Sequence, residues 1–92
     1  MTDAAVRIVV AGRVQGVGFR AFAAARGREL GLRGHARNRA DGSVESVVAG
    51  SREAIEAYLV ALRSGPPSAS VANLSVEDVA PESVTERDFV TG

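Results

Sequence analysis

The chain has 92 residues, of which 46% are hydrophobic and 24% charged, and its formal net charge is zero at pH 7. These values are ordinary for a globular protein, and the length suits one domain spanning residues 1–92 rather than two. The absence of cysteine excludes disulfide bonds, thiolate nucleophiles and thiolate metal sites.

The charges are unevenly spread along the sequence. Residues 1–40 carry eight arginines against two acids, whereas residues 41–92 carry three arginines against nine acids. A basic first half suits an anionic ligand, unless the two halves interleave in the fold and cancel. No apolar run in the sequence is long enough to span a bilayer, and nothing resembles a signal peptide. We therefore expect a cytoplasmic location.

The first predicted elements are a strand, a glycine-rich loop and a helix. Residues 5–11 alternate in the period of a half-buried strand, and residues 12–18 contain three glycines. Residues 20–31 have helical spacing of apolar side chains, interrupted at Gly27. A close approach of the helix to a sheet would explain that glycine. The apolar face of the strand comprises Val6, Ile8 and Val10, and Phe19 and Phe22 are expected in the core.

A hairpin is predicted next. Residues 32–40 are a weak strand by propensity, and the Asp41-Gly42 pair that follows is typical of a hairpin turn. Residues 44–49 return as a strand, with alternate residues from Val44 on one face. The two strands are therefore expected to pair directly and antiparallel.

The second half predicts one helix and one or two strands. Ser51 can cap the helix, and residues 65–67, Gly-Pro-Pro, end it. Residues 71–79 form another strand, with Ala72, Leu74 and Val76 alternating with polar residues, and residues 85–90 could add a short final strand that buries Phe89. The helix has an apolar stripe of Ala54, Ile55, Tyr58, Leu59 and Leu62.

The element order is therefore β-α-β-β-α-β. This order predicts an α+β, ferredoxin-like sandwich, in which two helices cover one face of an antiparallel sheet. The sequence contains no internal repeat and no linker to a second domain.

The loop at residues 12–20 is the strongest candidate for chemistry. A glycine-rich turn before a helix directs backbone N–H groups into one concavity, where the helix start adds partial positive charge. Arg20 stands where the helix begins, so its guanidinium could complete an anion cradle. The sequence predicts a pocket for a phosphoryl group.

Residues 16–21 also fit the dinucleotide pattern G-x-G-x-x-A, with Asp41 at about the expected distance. That interpretation requires a parallel, doubly wound sheet. The Asp41-Gly42 hairpin argues against it, and 92 residues leave little room for a second half. The sequence does not match the Walker phosphate-binding motif either, because no Lys-Ser/Thr pair follows Gly18.

Residues 10–20 read Val-Ala-Gly-Arg-Val-Gln-Gly-Val-Gly-Phe-Arg, and residues 34–38 read Gly-His-Ala-Arg-Asn, continuing through residues 41–44 to Gly50. The first segment resembles one signature of the acylphosphatase family, and the second resembles the other. The resemblance covers nearly the whole chain, including residues 65–67.

The resemblance implies an enzyme that hydrolyses the carboxyl–phosphate bond of small acylphosphates without metal or cofactor. It assigns phosphoryl binding to Arg20 and the orientation of the attacking water to Asn38. Inorganic phosphate or sulfate is expected to occupy the site, and a monomer without nucleic-acid or membrane partners is expected. The phosphate-binding residues would be Arg20 and the backbone N–H groups of Gln15, Gly16, Val17, Gly18 and Phe19.

The chain departs from the family pattern in two places. His35 stands where an aromatic residue is usual, either filling the same space or adding a charge that modulates the site near neutral pH. The C-terminus, residues 89–92, lacks the basic ending of many relatives, which bears on final-strand pairing and stability more than on catalysis.

Two rival functions stay open. The first is a non-catalytic module that binds phosphate or carbamoyl phosphate, since related domains occur inside larger maturation enzymes. The second is a βαββαβ RNA-binding domain, which needs exposed aromatic residues on its central strands. The aromatic residues here are few and are placed on helices or in the core, which argues against RNA.

Overall fold

The computed structural model describes residues 3–92, and its secondary structure follows the predicted order with one additional short strand. The second helix begins after Ser51, whose side chain accepts a hydrogen bond from the Ala54 N–H at 3.1 Å, as the sequence predicted. The elements are β1 (Ala4–Arg13), α1 (Phe19–Glu29), β2 (Arg33–Asn38), β3 (Val44–Gly50), α2 (Arg52–Ser64), β4 (Ser70–Asp78), a 3₁₀ turn (Pro81–Ser83) and β5 (Phe89–Thr91).

The five strands form one sheet in the order β4-β1-β3-β2-β5. Strands β1 to β4 pair antiparallel, as predicted, and the hairpin joins β2 directly to β3. The fifth strand makes the sheet mixed, because β5 runs parallel to β2, with Gly34 opposite Phe89. Residues 79–88 form the crossover that leads from β4 at one edge of the sheet to β5 at the other.

The main core lies between the sheet and the two helices. Val6, Ile8 and Val10 of β1 are buried on the helix side, which confirms the predicted face. Phe19 is also buried, whereas Phe22 is half-buried beside it. Burial of these apolar side chains is the main stabilising contribution to such a fold.

A polar pair inside this core is fully hydrogen-bonded. Ser46 Oγ lies 2.9 Å from the carbonyl oxygen of His35 and 2.8 Å from Tyr58 Oη. Because the Ser46 hydroxyl has one proton and donates it to the carbonyl, the Tyr58 hydroxyl donates to Ser46. Burial raises the pKa of Tyr58, so this donor keeps its proton throughout the physiological range.

Gly27 explains how α1 lies so close to the sheet. A Cβ at this position would stand 2.5 Å from Cε2 of Phe89, closer than two carbon atoms can approach without overlap. The missing side chain thus leaves room for the aromatic ring of β5, as the sequence suggested. The ring also packs against Tyr58, with centroids 6.0 Å apart in an edge-on arrangement.

The predicted inner face of β4 differs in the structure. The register shifts beside Gly12, so that Ala11 pairs with Asn73, Gly12 pairs with Val71, and Ala72 is passed over. Such a bulge changes which residues point inward on either side of it. Val71 therefore packs on the core in place of the exposed Ala72, and Leu74 packs there as predicted. Val76 pairs with Ile8 on the edge strand and is exposed.

Candidate active site

The loop between β1 and α1 adopts the conformation that its glycines permit. Gly16 and Gly18 have φ values of 74° and 78°, in the left-handed region that side chains disfavour. Among residues 3–92, no acceptor lies within hydrogen-bond reach of the N–H groups of residues 15–18. Helix α1 also starts without a side-chain cap. Left-handed residues alternating with ordinary ones make an anion-binding concavity, so these N–H groups suit an anion.

A cavity of about 160 Å³ opens at this loop. Arg20 and Asn38, the two side chains singled out from the sequence, both line it. Among residues 3–92, none of the side chains that line it carries a carboxylate, imidazole or thiol. The lining residues are Val14, Gly16, Gly18, Phe19, Arg20, Ala21 and Asn38. Gln15 and Val17, predicted to bind through their N–H groups, are outside the lining.

Arg20 belongs to the first turn of α1 and is half-buried. Its Nη1 donates a hydrogen bond to the carbonyl oxygen of Gly92 at 3.2 Å. A guanidinium has five N–H donors, so this contact leaves most of them for an anion in the cavity. The loop and the helix together place the positive charge at the cavity.

Asn38 is the last residue of β2 and pairs with Val44 of β3. Ala36, two residues earlier, is buried in the core on the helix side. Since alternate residues of a strand share a face, Asn38 is on the same side as α1. Its side chain is exposed and makes no hydrogen bond to the described residues 3–92. Both the acceptor and the donor of the amide are thus available.

Sequence reasoning missed the contact made by the Gln15 side chain. Its Nε2 donates to the carbonyl oxygens of Arg39 at 2.8 Å and Ser43 at 3.0 Å, across the loop that follows Asn38. Both acceptors are backbone atoms, so residue types at those positions give no signal. The one available hint is a long amide side chain in a loop otherwise rich in glycine.

Comparison with known proteins supplies the family. The acylphosphatase family model matches residues 6–91. The chain belongs to the acylphosphatase family. An acylphosphatase from Xanthomonas euvesicatoria pv. vesicatoria is 52% identical over 88 residues, which cover 96% of this chain and 98% of that protein.

Solved structures agree with this family membership. The crystal structure of acylphosphatase from Bacillus subtilis is 34% identical, with a TM-score of 0.91 over 97% of this chain and 98% of that one. Full-length HypF in a phosphate- and nucleotide-bound form is 26% identical, with a TM-score of 0.86. The match covers 99% of this chain but 12% of HypF. The ferredoxin-like fold predicted from the element order is confirmed.

His35, which departs from the pattern of the acylphosphatase family, lies on the sheet face opposite Asn38. Its Nδ1 is 2.9 Å from the Glu86 carboxylate, and its Nε2 is 3.7 Å from that of Glu45. Glu86 belongs to the crossover between β4 and β5, which also contacts the sheet where Arg33 binds the Val84 carbonyl. The imidazole therefore holds the crossover against the sheet. Its suggested influence on the site stays a prediction.

Glu86 makes this contact sensitive to acid. Burial opposes ionisation of the carboxyl, but a hydrogen bond from its own backbone N–H, the contact with His35 and the charge of Arg37 together hold its pKa below the usual 4.5. Ionisation of the Glu86 carboxyl is therefore more favourable in the folded protein than in the unfolded chain.

We expect the free energy of unfolding to fall as pH drops from about 4.5 through the folded-state pKa of Glu86, because the unfolded carboxyl binds its proton first. Urea unfolding across that range, for wild type and Glu86→Gln, measures the effect. Part of the acid sensitivity should disappear in Glu86→Gln. It should persist in Glu56→Gln, since Glu56 is exposed on α2. The same pH slope in wild type and Glu86→Gln would contradict the assignment.

Proposed function

We propose that this protein hydrolyses the carboxyl–phosphate anhydride of small acylphosphates, releasing a carboxylate and inorganic phosphate without metal or cofactor. One observation carries the proposal. A cavity beside unpaired backbone N–H groups brings together Arg20 from α1 and Asn38 from β2. The relatives from Xanthomonas euvesicatoria and Bacillus subtilis are named acylphosphatases, which supports the same reaction.

The phosphoryl group would bind at the glycine loop. Its oxygens would accept hydrogen bonds from the N–H groups of residues 15–19 and from the guanidinium of Arg20. Donors fixed before the substrate arrives need no reorganisation as charge develops on the phosphoryl oxygens. The left-handed conformations of Gly16 and Gly18, on either side of Val17, support this assignment, as does the absence of a side-chain cap on α1 among the described residues.

Asn38 would position the attacking water. The amide oxygen can accept a hydrogen bond from water while the NH₂ group donates to the phosphoryl group. As the new P–O bond forms, the bond between phosphorus and the carboxylate oxygen breaks, and the electron pair leaves with the carboxylate. The proton lost by water goes to a phosphoryl oxygen or to solvent. In-line positioning and charge stabilisation are the main contributions a protein makes to such a transfer.

Metal independence follows from the same chemistry. A carboxylate is a good leaving group, so a metal ion is not needed to generate a stronger nucleophile than water. The chemistry of the cavity supports this view, because its lining has neither the carboxylates nor the imidazoles that hold hard or intermediate cations.

A non-catalytic phosphate-binding module is the second candidate function. The similarity to a segment of the much larger, phosphate-bound HypF favours it. The two candidates agree on the cradle and differ on Asn38, since an unreactive binding site has no need of a group that orients water. Turnover therefore discriminates between them.

Hydrolysis of benzoyl phosphate, followed by the loss of its absorbance in excess EDTA, tests the proposal. We expect enzymatic turnover that is unchanged by chelator and competitively inhibited by inorganic phosphate. A buffer blank corrects for spontaneous hydrolysis. Loss of turnover on chelation would contradict metal independence, whereas phosphate binding without turnover would favour the binding module.

Three broader properties stay predictions from the sequence. They are a single domain over residues 1–92, a cytoplasmic location, and a monomer that acts on a free small molecule. No helix in residues 3–92 combines the length and hydropathy needed to cross a bilayer.

A further inference from the structure

The Gln15 side chain connects the two halves of the candidate site. Gln15 belongs to the glycine loop, and its Nε2 lies 2.8 Å from the carbonyl oxygen of Arg39 and 3.0 Å from that of Ser43. Since both neighbours are acceptors, the atom facing them is the amide nitrogen and each of its hydrogens is donated. The contact spans 24 residues in one case and 28 in the other.

The two carbonyls belong to a loop that is already internally hydrogen-bonded. The Arg39 N–H donates to the Ser43 carbonyl at 2.8 Å, and the Gly42 N–H donates to the Arg39 carbonyl at 3.2 Å. Asp41 Oδ1 accepts hydrogen bonds from both the N–H and the hydroxyl of Ser43. Residues 39–43 thus form a compact unit, and a bond to two of its carbonyls holds the whole loop.

Asn38 immediately precedes this unit, and its pairing partner Val44 immediately follows it. A displacement of residues 39–43 relative to the glycine loop would therefore shift Asn38 relative to the N–H groups of residues 15–18. Gln15 is the described side chain that bonds across this gap, from the cradle loop to the hairpin loop.

We propose that Gln15 is a positioning residue, which fixes Asn38 at the distance from the phosphate cradle that in-line attack by water requires. This inference rests on the proposed hydrolysis and extends it to a side chain outside the cavity lining. Misplacement of a reacting group by about 1 Å can cost about 100-fold in rate, so a bond that fixes this distance has a measurable kinetic role.

The proposal separates turnover from phosphate binding. The Gln15 side chain bonds to the hairpin carbonyls, and its proposed contact with phosphate is made by the backbone N–H alone. Its removal should lower kcat about 10- to 100-fold and leave the inhibition constant of inorganic phosphate within about twofold of wild type. Gln15→Ala removes the contact, and Gln15→Glu turns carboxylate oxygens towards two carbonyl oxygens.

Ser51→Ala is a matched control. It also removes one side chain–backbone hydrogen bond, at the start of α2 and away from the cavity, and should lower the stability of the protein modestly. Below the unfolding range it should keep the kcat of wild type. If Gln15→Ala also keeps the kcat of wild type, or raises the phosphate inhibition constant in proportion to its loss of rate, the proposal is wrong.

A double-mutant cycle tests whether Gln15 acts through Asn38. In an Asn38→Ala background, Gln15→Ala should reduce kcat by less than about threefold, because the group it positions is gone. Equal loss in both backgrounds would overturn the proposal. NMR relaxation provides a readout that does not depend on turnover: Gln15→Ala should lower the order parameter of the Asn38 side-chain amide, and Ser51→Ala should not. An unchanged order parameter would also overturn it, whereas an inactive wild type would count against the proposed hydrolysis.

Discussion

Arg20→Ala should lower kcat/KM for benzoyl phosphate by about 1,000-fold or more, the range found for arginines that neutralise a transferring phosphoryl group. The substitution removes the cationic side chain from the cavity lining and leaves the backbone cradle in place. Phosphate binding should weaken as well, because the guanidinium contacts the phosphoryl oxygens before and during transfer. Steady-state kinetics and calorimetric titration with phosphate measure the two effects.

Arg26→Ala is the matched control for this variant. Arg26 lies on the same helix, and its guanidinium pairs at 2.7 Å with the carboxylate of Glu29. The Arg26→Ala variant therefore loses one arginine charge from α1 without a change to the cavity lining, and it should retain the kinetics of wild type. Unchanged phosphate affinity in Arg20→Ala would show that Arg20 does not bind the phosphoryl group.

Asn38→Ala should lower kcat by about 100- to 1,000-fold, comparable to the loss of one preorganised hydrogen-bonding group at a reacting centre. Unlike Arg20→Ala, it should leave phosphate affinity near that of wild type, because the cradle and the guanidinium are intact. The contrast separates orientation of water from binding of the phosphoryl group. The measurements are kcat and the inhibition constant of phosphate.

Asn73→Ala is the corresponding control for the asparagine. Asn73 is exposed on β4, where it pairs with Ala11 of β1, and it is not among the residues lining the cavity. It should keep the kcat of wild type. If Asn38→Ala retains full turnover, the water is positioned by another group.

Much of this architecture could be predicted from local sequence patterns. The alternation at Val6, Ile8 and Val10 identified the buried face of β1, and the Asp41-Gly42 pair identified the hairpin that excludes a doubly wound sheet. The glycine loop and Arg20 are adjacent in sequence, so their proximity follows from the strand–loop–helix order. The roles given to Arg20 and Asn38 in hydrolysis stay predictions.

Features that depend on long-range contacts could not be predicted in the same way. The bulge that passes over Ala72 occurs without a glycine at that position, so the alternation of β4 placed Ala72 inward where the structure has Val71. The parallel pairing of β5 depends on how residues 79–88 pack across the sheet, which local sequence patterns do not specify. The Gln15 contact escapes sequence analysis because its acceptors are backbone carbonyls that any residue could supply.

The short strand β5 takes the place of β2 at the edge of the sheet, and its three residues offer another molecule little to pair with. Without it, β2 would be an edge strand, and its unpaired backbone groups could template pairing with another molecule. Strand β5 pairs with β2 from Gly34 to Ala36. The ring of Phe89 packs in the space left by the missing side chain of Gly27. The opposite edge is β4, which ends in Glu77 and Asp78. Strand β2, which carries Asn38, is therefore an inner strand and not the edge strand at which pairing with another molecule would begin.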